Sequence, residues 1–269
     1  MERAEVDGIS LEYEVAGAGE PVVFIHGAFV ADTFRPLLAE LSLAGRHRLI
    51  TYHRRGYAGS GRTAGPVGVE RQAADCRGLM SWLGVERAHV VGHSLGACIA
   101  LQLALDSPEV VHTLALLEAA LFVGGSAQSY REGQLRTERR YRDAGAAVAV
   151  DEALRARWPA YRAGLDRVLP GSFEQAVADA GTVFELDSGQ LDWKFGEAEA
   201  RRVTQPALVV LGGDSPTLHP RFGETYQLLL DWLPKGEGFV LPGVSHFLQV
   251  EDPRGMAEGL AAFFGRHSF

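Results

Sequence analysis

Ala88-His89-Val90-Val91-Gly92-His93-Ser94-Leu95-Gly96-Ala97-Cys98-Ile99 is the stretch from which the fold is read. A short apolar run, Ala88 to Gly92, has the length and character of a buried strand. An apolar helical pattern, Leu95 to Leu105, begins two residues later. The junction reads G-x-S-x-G, a serine held between glycines at a strand-to-helix turn. A serine there sits in strained backbone, and the glycines let neighbouring chain come close. Its hydroxyl projects above the sheet. The helix starting at Leu95 aims free N–H groups and its positive dipole end at any negative charge developing beside the serine.

The same rhythm extends on both sides. Ile9 to Val15 alternates as a strand, and Pro21-Val22-Val23-Phe24-Ile25 is a buried run ending in His26-Gly27. Thr33 to Leu43 reads as a helix and Arg48 to Thr51 as a strand. A glycine-rich loop follows to Gly65, then an amphipathic helix over Val69 to Leu83. Val111 to Leu117 is the strand after the serine helix. Beyond it the pattern breaks, and the chain to about Arg202 is rich in Arg, Glu, Ala and aromatics. The rhythm resumes with a strand at Ala207 to Leu211, a helix at Phe222 to Leu233, a strand at Gly238 to Leu241 and a helix at Pro253 to Phe264. Strands alternating with helices predict an α/β chain with a mostly parallel sheet covered on both faces. Residues 1–121 and 203–269 are expected to form that core. Residues 122–202 are expected to form a helical cap inserted between two sheet strands.

With 269 residues, 46% of them hydrophobic, the chain can bury a core without a metal or disulfide staple. A formal net charge of −8 argues against a nucleic-acid partner. Cys76 and Cys98 lie in apolar helical patterns with no second thiol at ligand spacing, so both are expected as buried reduced thiols. The start of the chain has no basic-then-apolar signal pattern, and no window has the length of a membrane span. A cytoplasmic protein, monomer or homodimer, with no membrane partner is the expectation. No GxxxxGK[ST] loop, metal-ligand cluster or dinucleotide spacing is found, so neither a cofactor nor a metal is expected.

A serine nucleophile needs a histidine base within about 3 Å of its hydroxyl. His246, in Leu241-Pro242-Gly243-Val244-Ser245-His246-Phe247, closely follows a late strand. His219 sits among prolines, His89 at the wrong end of its strand, and His267 in the tail. His26 is read as a structural residue. In enzymes built on this elbow the order is serine, acid, histidine. Two carboxylates fall between and follow strands: Glu118 after Leu117, and Asp214 after the strand ending at Leu211. The Ala28 and Leu95 amides are the expected oxyanion donors. Phe29, Trp158, Tyr161, Phe184 and Trp193 are the expected substrate pocket. The arginines Arg131, Arg136, Arg139, Arg140 and Arg142 read as a solvated face.

From Gly19 onward the chain resembles the α/β-hydrolase superfamily, in its serine-nucleophile branch with a helical cap. The matching pieces are His26-Gly27-Ala28-Phe29, RRGYAGSG at Arg54 to Gly61, GHSLG at Gly92 to Gly96, PALVVLGGDSP at Pro206 to Pro216, and GVSHF at Gly243 to Phe247. The resemblance implies the α/β-hydrolase fold: a mostly parallel eight-stranded sheet flanked by helices, with a cap. Two stretches depart from the family pattern. In the first, His53 stands where an aspartate is common and Ala58 takes a slot usually held by glycine. Ser215 fills the slot nine residues after Pro206 where the family's acid usually lies, with Asp214 one residue early. Some members carry the acid about two dozen residues past the nucleophile, and Glu118 is 24 past Ser94. That spacing favours Glu118, with Asp214 as the alternative. The implied activity is hydrolysis of a small ester, thioester or lactone with an apolar acyl part. Carbon–carbon bond hydrolysis or a non-hydrolytic use of the same residues is a second reading. A non-catalytic ligand binder is a third.

Overall fold

The computed structural model describes residues 1–269. Eight strands form one sheet in the order β1-β2-β4-β3-β5-β6-β7-β8. They are β1 Glu2–Val6, β2 Ile9–Ala16, β3 Glu20–Ile25, β4 His47–Tyr52, β5 Ala88–His93, β6 Val111–Leu117, β7 Ala207–Gly212 and β8 Gly236–Leu241. The β1–β2 and β2–β4 pairs are antiparallel, and the others are parallel. The apolar runs read as strands are the central ones, buried on both faces.

Strand β1 was not expected. ERAEV carries only Ala4 and Val6 as apolar residues, and those two are its buried positions. It pairs through the tight Asp7-Gly8 turn, where φ is +46° and +78°. The helix expected over Thr33–Leu43 is two shorter pieces, a 3-10 turn at Arg35–Ala39 and a helix at Leu41–Ala44. Pro36 is accommodated in the first turn of the 3-10 piece, where no N–H is required.

One face of the sheet packs Val69–Trp82, Leu95–Asp106 and Arg221–Trp232, around Val23, Val90, Leu114 and Val209. The opposite face packs Pro253–Arg266 around Phe24, Val91, Leu117 and Val210. Between β6 and β7 the chain leaves the sheet and runs through helices at Ala127–Ala144, Ala146–Arg155, Tyr161–Val168 and Ser172–Ala178, then shorter turns. These helices share an apolar cluster that includes Trp158, Tyr161, Phe173 and Phe184, together with Phe29 and Phe247 from the sheet loops. No helix is long and apolar enough to cross a membrane. Cys76 and Cys98 are buried free thiols, and burial pushes both up to about 12.

Candidate active site

The carboxyl ends of β3, β5, β6, β7 and β8 open on one side, the edge at which open parallel sheets present their chemistry. Ser94 follows β5 directly, with φ +54° and ψ −116°. Five non-glycine residues have positive φ, and three of them, Phe29, Ser94 and Glu118, lie at this edge. Such strain persists only where surrounding structure holds it. Here the Ser94 amide donates to Leu117 O at 2.9 Å, the Glu118 amide to Val210 O at 3.1 Å, and the Ala120 amide to Ser94 O at 3.2 Å.

Glycines make the elbow possible. A Cβ on Gly96 would run into Ile25 O, and one on Gly27 would lie 3.0 Å from the Ser94 Cβ. The loop after β3 therefore rests directly against the serine turn. Leu95 opens its helix with Ser94 as the preceding residue, so the Leu95 amide is among the orphan donors of a helix N-terminus.

His246 follows β8 and is buried. Its Nδ1 lies 2.6 Å from Glu118 Oε2, and Glu118 Oε1 accepts from the Gly212 amide at 2.8 Å. Glu118 thus bridges the histidine loop and the end of β7. Asp214 is solvent-exposed, and only its backbone supports the histidine loop, through its amide to Val244 O at 2.9 Å. Ser215 is fully buried, and its hydroxyl forms no hydrogen bond of ordinary geometry.

Burial, reinforced by the positive charges of Arg221 and Arg157, holds the His246 imidazole well below its ordinary value. Burial also pushes the Glu118 carboxyl up to about 7, opposed by Ser215, the Gly212 amide and Arg221. His93, the variable residue before the serine, is buried and driven down to about 3. Its Nε2–H donates to His246 O at 2.7 Å, tying the elbow to the histidine loop. His26 braces in the same way: its Nε2 accepts from the Arg54 amide at 2.9 Å, and its Nδ1–H donates to Gly27 O at 2.7 Å.

A cavity of about 730 Å³, part of it open to solvent, lies over the serine. Ser94, His246, Ala28, Leu95, Phe29 and Phe184 all line it. Trp158, Tyr161 and Trp193 do not, which differs from the sequence expectation. Trp158 packs on Phe247 with ring centroids 5.9 Å apart. Tyr161 hydrogen-bonds Asp151. Trp193 stacks on Phe195 at 5.1 Å and donates to Gln102 Oε1 at 2.7 Å. Each is engaged with neighbouring side chains rather than with the cavity.

Sequence reading missed several lining residues, among them Tyr130, Arg157, Asp187 and Gln190. Asp187 is buried against Arg54, with its two carboxylate oxygens 3.0 and 2.9 Å from the guanidinium, and it also accepts from Tyr57 at 2.6 Å. Arg54 in turn donates to His26 O and Gly27 O, both at 3.0 Å. No local pattern marks Asp187, because its partners come from a loop more than a hundred residues earlier.

The sequence model of the "Alpha/beta hydrolase family" matches residues 22–259. The chain belongs to the alpha/beta hydrolase family. Among curated relatives, a provisionally named carbamate hydrolase of Azorhizobium caulinodans is 39% identical over 108 residues, 40% of each chain. The dihydrolipoyllysine-residue acetyltransferase component of an acetoin cleaving system from Cupriavidus necator is 34% identical over 138 residues, 51% of this chain and 37% of that one. The matched region thus spans less than half the length of these two relatives. Among solved structures, a thermophilic esterase from Thermogutta terrifontis superposes with a TM-score of 0.82 at 20% identity, covering 100% of both chains. The enol-lactonase from Burkholderia xenovorans LB400 gives 0.80 at 21% identity, covering 98% of this chain and 100% of its own. These likenesses establish the alpha/beta hydrolase fold.

Proposed function

We propose that this alpha/beta hydrolase acts on a small ester, thioester or lactone, with Ser94 as nucleophile, His246 as base and Glu118 as the acid that orients it. The observation that carries the reading is the 2.6 Å contact of His246 with Glu118 beside a cavity that Ser94 and His246 both line. Residues 122–202 act in this reading as a cap, a reading supported by Tyr130, Phe184 and Gln190 of that stretch, which line the cavity.

His246 takes the Ser94 proton as the oxygen bonds to the carbonyl carbon. The Leu95 and Ala28 amides receive the oxyanion, and the Glu118 carboxylate supports the imidazolium. The tetrahedral intermediate collapses, and the leaving alcohol or thiol departs with the proton from His246. Water then gives a proton to His246 and attacks the acyl-enzyme. The acid leaves as the proton returns to Ser94. Nothing in these steps calls on a metal or cofactor.

A fluorophosphonate probe tests the nucleophile. Covalent labelling of the native chain at Ser94, together with turnover of 4-nitrophenyl esters, is expected. A folded chain that neither labels nor turns over esters or lactones would sink the proposal.

A further inference from the structure

Beside the catalytic cavity lies a second space of about 710 Å³, much of it open to solvent. The two share Tyr130, Gln134 and Arg157 as common walls. Arg136, Arg157, His219 and Arg221 line the second space, and no carboxylate does. Ser129 and Thr137 add hydroxyls.

Two of these arginines are unusual in their company. Elsewhere in the chain the buried Arg54 and Arg55 each pair with a carboxylate, Asp187 and Asp75, at 2.9 and 2.7 Å. Arg221 is only 4% exposed, yet it has no such partner. Its guanidinium lies between the Tyr130 and Phe222 rings, 4.0 and 3.9 Å from their centroids, and its Nη1 is buried without a hydrogen bond. Arg157 donates to Ala153 O at 2.7 Å and reaches Gln134 Oε1 at 3.5 Å, again with no acid. Glu118 is near enough to feel Arg221, but its oxygens are engaged by His246 and Gly212. An unpaired buried guanidinium is costly, and a planar carboxylate is the group its fork of donors matches best.

We propose that Arg157 and Arg221 bind a carboxylate of the substrate, so that the preferred substrates are half-esters or lactones carrying a free carboxylate remote from the scissile carbonyl. The inference rests on the hydrolase reading above for its chemistry, though not for binding. The site adjoins the reacting centre directly: the Arg157 carbonyl accepts from the His246 amide at 3.4 Å. The aromatic sandwich holds Arg221 in place before any ligand arrives, which limits the ordering cost of capture.

The test compares mono-4-nitrophenyl glutarate with 4-nitrophenyl hexanoate, an anionic and a neutral ester of similar length. The intact enzyme is expected to favour the glutarate in kcat/KM. Arg157→Gln and Arg221→Gln should each lower the anionic-to-neutral ratio by roughly tenfold to a hundredfold, the range expected for a lost charge-assisted hydrogen bond. Arg221→Lys should recover part of that ratio. Both rates falling together with the ratio unmoved would overturn the proposal, since a purely structural role predicts that pattern. Calorimetry with free glutarate on the unmodified chain reads binding without chemistry. Binding that weakens in Arg157→Gln supports the site even if no ester is turned over, in which case only the hydrolase reading fails. No glutarate binding, or binding of inorganic phosphate alone, overturns the carboxylate assignment.

Discussion

Glu118 Oε2 and His246 Nδ1 meet at 2.6 Å although 128 residues separate them in the chain. The meeting is possible because β6 and β8 flank β7, and because Glu118, at φ +47°, turns back at the end of β6. Its longer side chain reaches across the end of β7 to the histidine loop, over the position where Gly212 offers an amide. Asp214, the carboxylate that follows β7, is exposed, and Ser215 beside it is buried.

Glu118→Gln is therefore expected to lower kcat far more than Asp214→Asn. Loss of the orienting acid in a serine protease costs about 10⁴ in kcat, and a loss on that scale is anticipated here. Asp214→Asn, at an exposed position, should stay within about tenfold, far from that triad-scale loss. Steady-state kinetics on both variants, with thermal melts to check folding, decide the matter. The reverse ranking would move the acid to Asp214.

Ser94→Ala and His246→Ala should each remove most turnover, by several orders of magnitude, because members of such a unit fail together. Ser94→Ala also loses fluorophosphonate labelling. Circular dichroism should show both variants folded. A folded variant with near-normal rates would contradict the assigned roles.

The pH profile should carry the signature of the two arginines. His246 must be neutral to accept a proton, and burial together with Arg221 and Arg157 depresses its protonation. Activity toward a neutral ester should therefore persist below the pH at which an ordinary imidazole becomes charged. Replacing Arg221 by Gln removes a positive neighbour, makes protonation easier and shifts the acid limb of kcat/KM to higher pH. Glu118→Gln removes a negative neighbour and should shift it the other way. An acid limb that ignores Arg221→Gln would refute the electrostatic coupling.

Gly96→Ala tests the elbow itself. The added methyl would meet the Ile25 carbonyl, so the helix must move away from β3. Overpacking of this kind costs about 1–3 kcal/mol. Urea denaturation should register that loss, and labelling of Ser94 should slow with it. Wild-type stability and labelling would show that the close approach is dispensable.

The sheet was legible because β3, β5, β6 and β7 are uninterrupted apolar runs, and the elbow because its glycines answer a local steric demand. The edge strand β1 escaped notice, since two buried side chains make almost no periodic signal. Ala28, Leu95, Phe29 and Phe184 were placed near the serine by short-range logic, through their adjacency to strand ends or to an aromatic cluster. Trp158, Tyr161 and Trp193 could not be sorted from Phe184 in the same way. A large ring in a helical stretch looks alike whether it faces a cavity or a neighbouring helix. Arg157 and Arg221 were invisible for a related reason: a sequence displays a charge but not the absence of its partner.

The Arg54–Asp187 pair belongs to a seam that ties the chain near residue 187 to the core. Asp187, Thr182 and Asp179 all fasten to the loop after β4: Asp187 to Arg54 and Tyr57, Thr182 to Gly56 O, and Asp179 to the Ala58 amide. Helix Ala127–Ala144, in the same stretch between β6 and β7, buries only Tyr130 and is otherwise half-buried or exposed. The entry to this helix is tied to the core as well: the Gly125 and Ser126 amides donate to Glu224 at 2.6 and 2.8 Å, and Tyr130 packs on Arg221. Amides around 124–130 and 179–190, at the two anchored margins, should then exchange with deuterium more slowly than those of 135–143 between them.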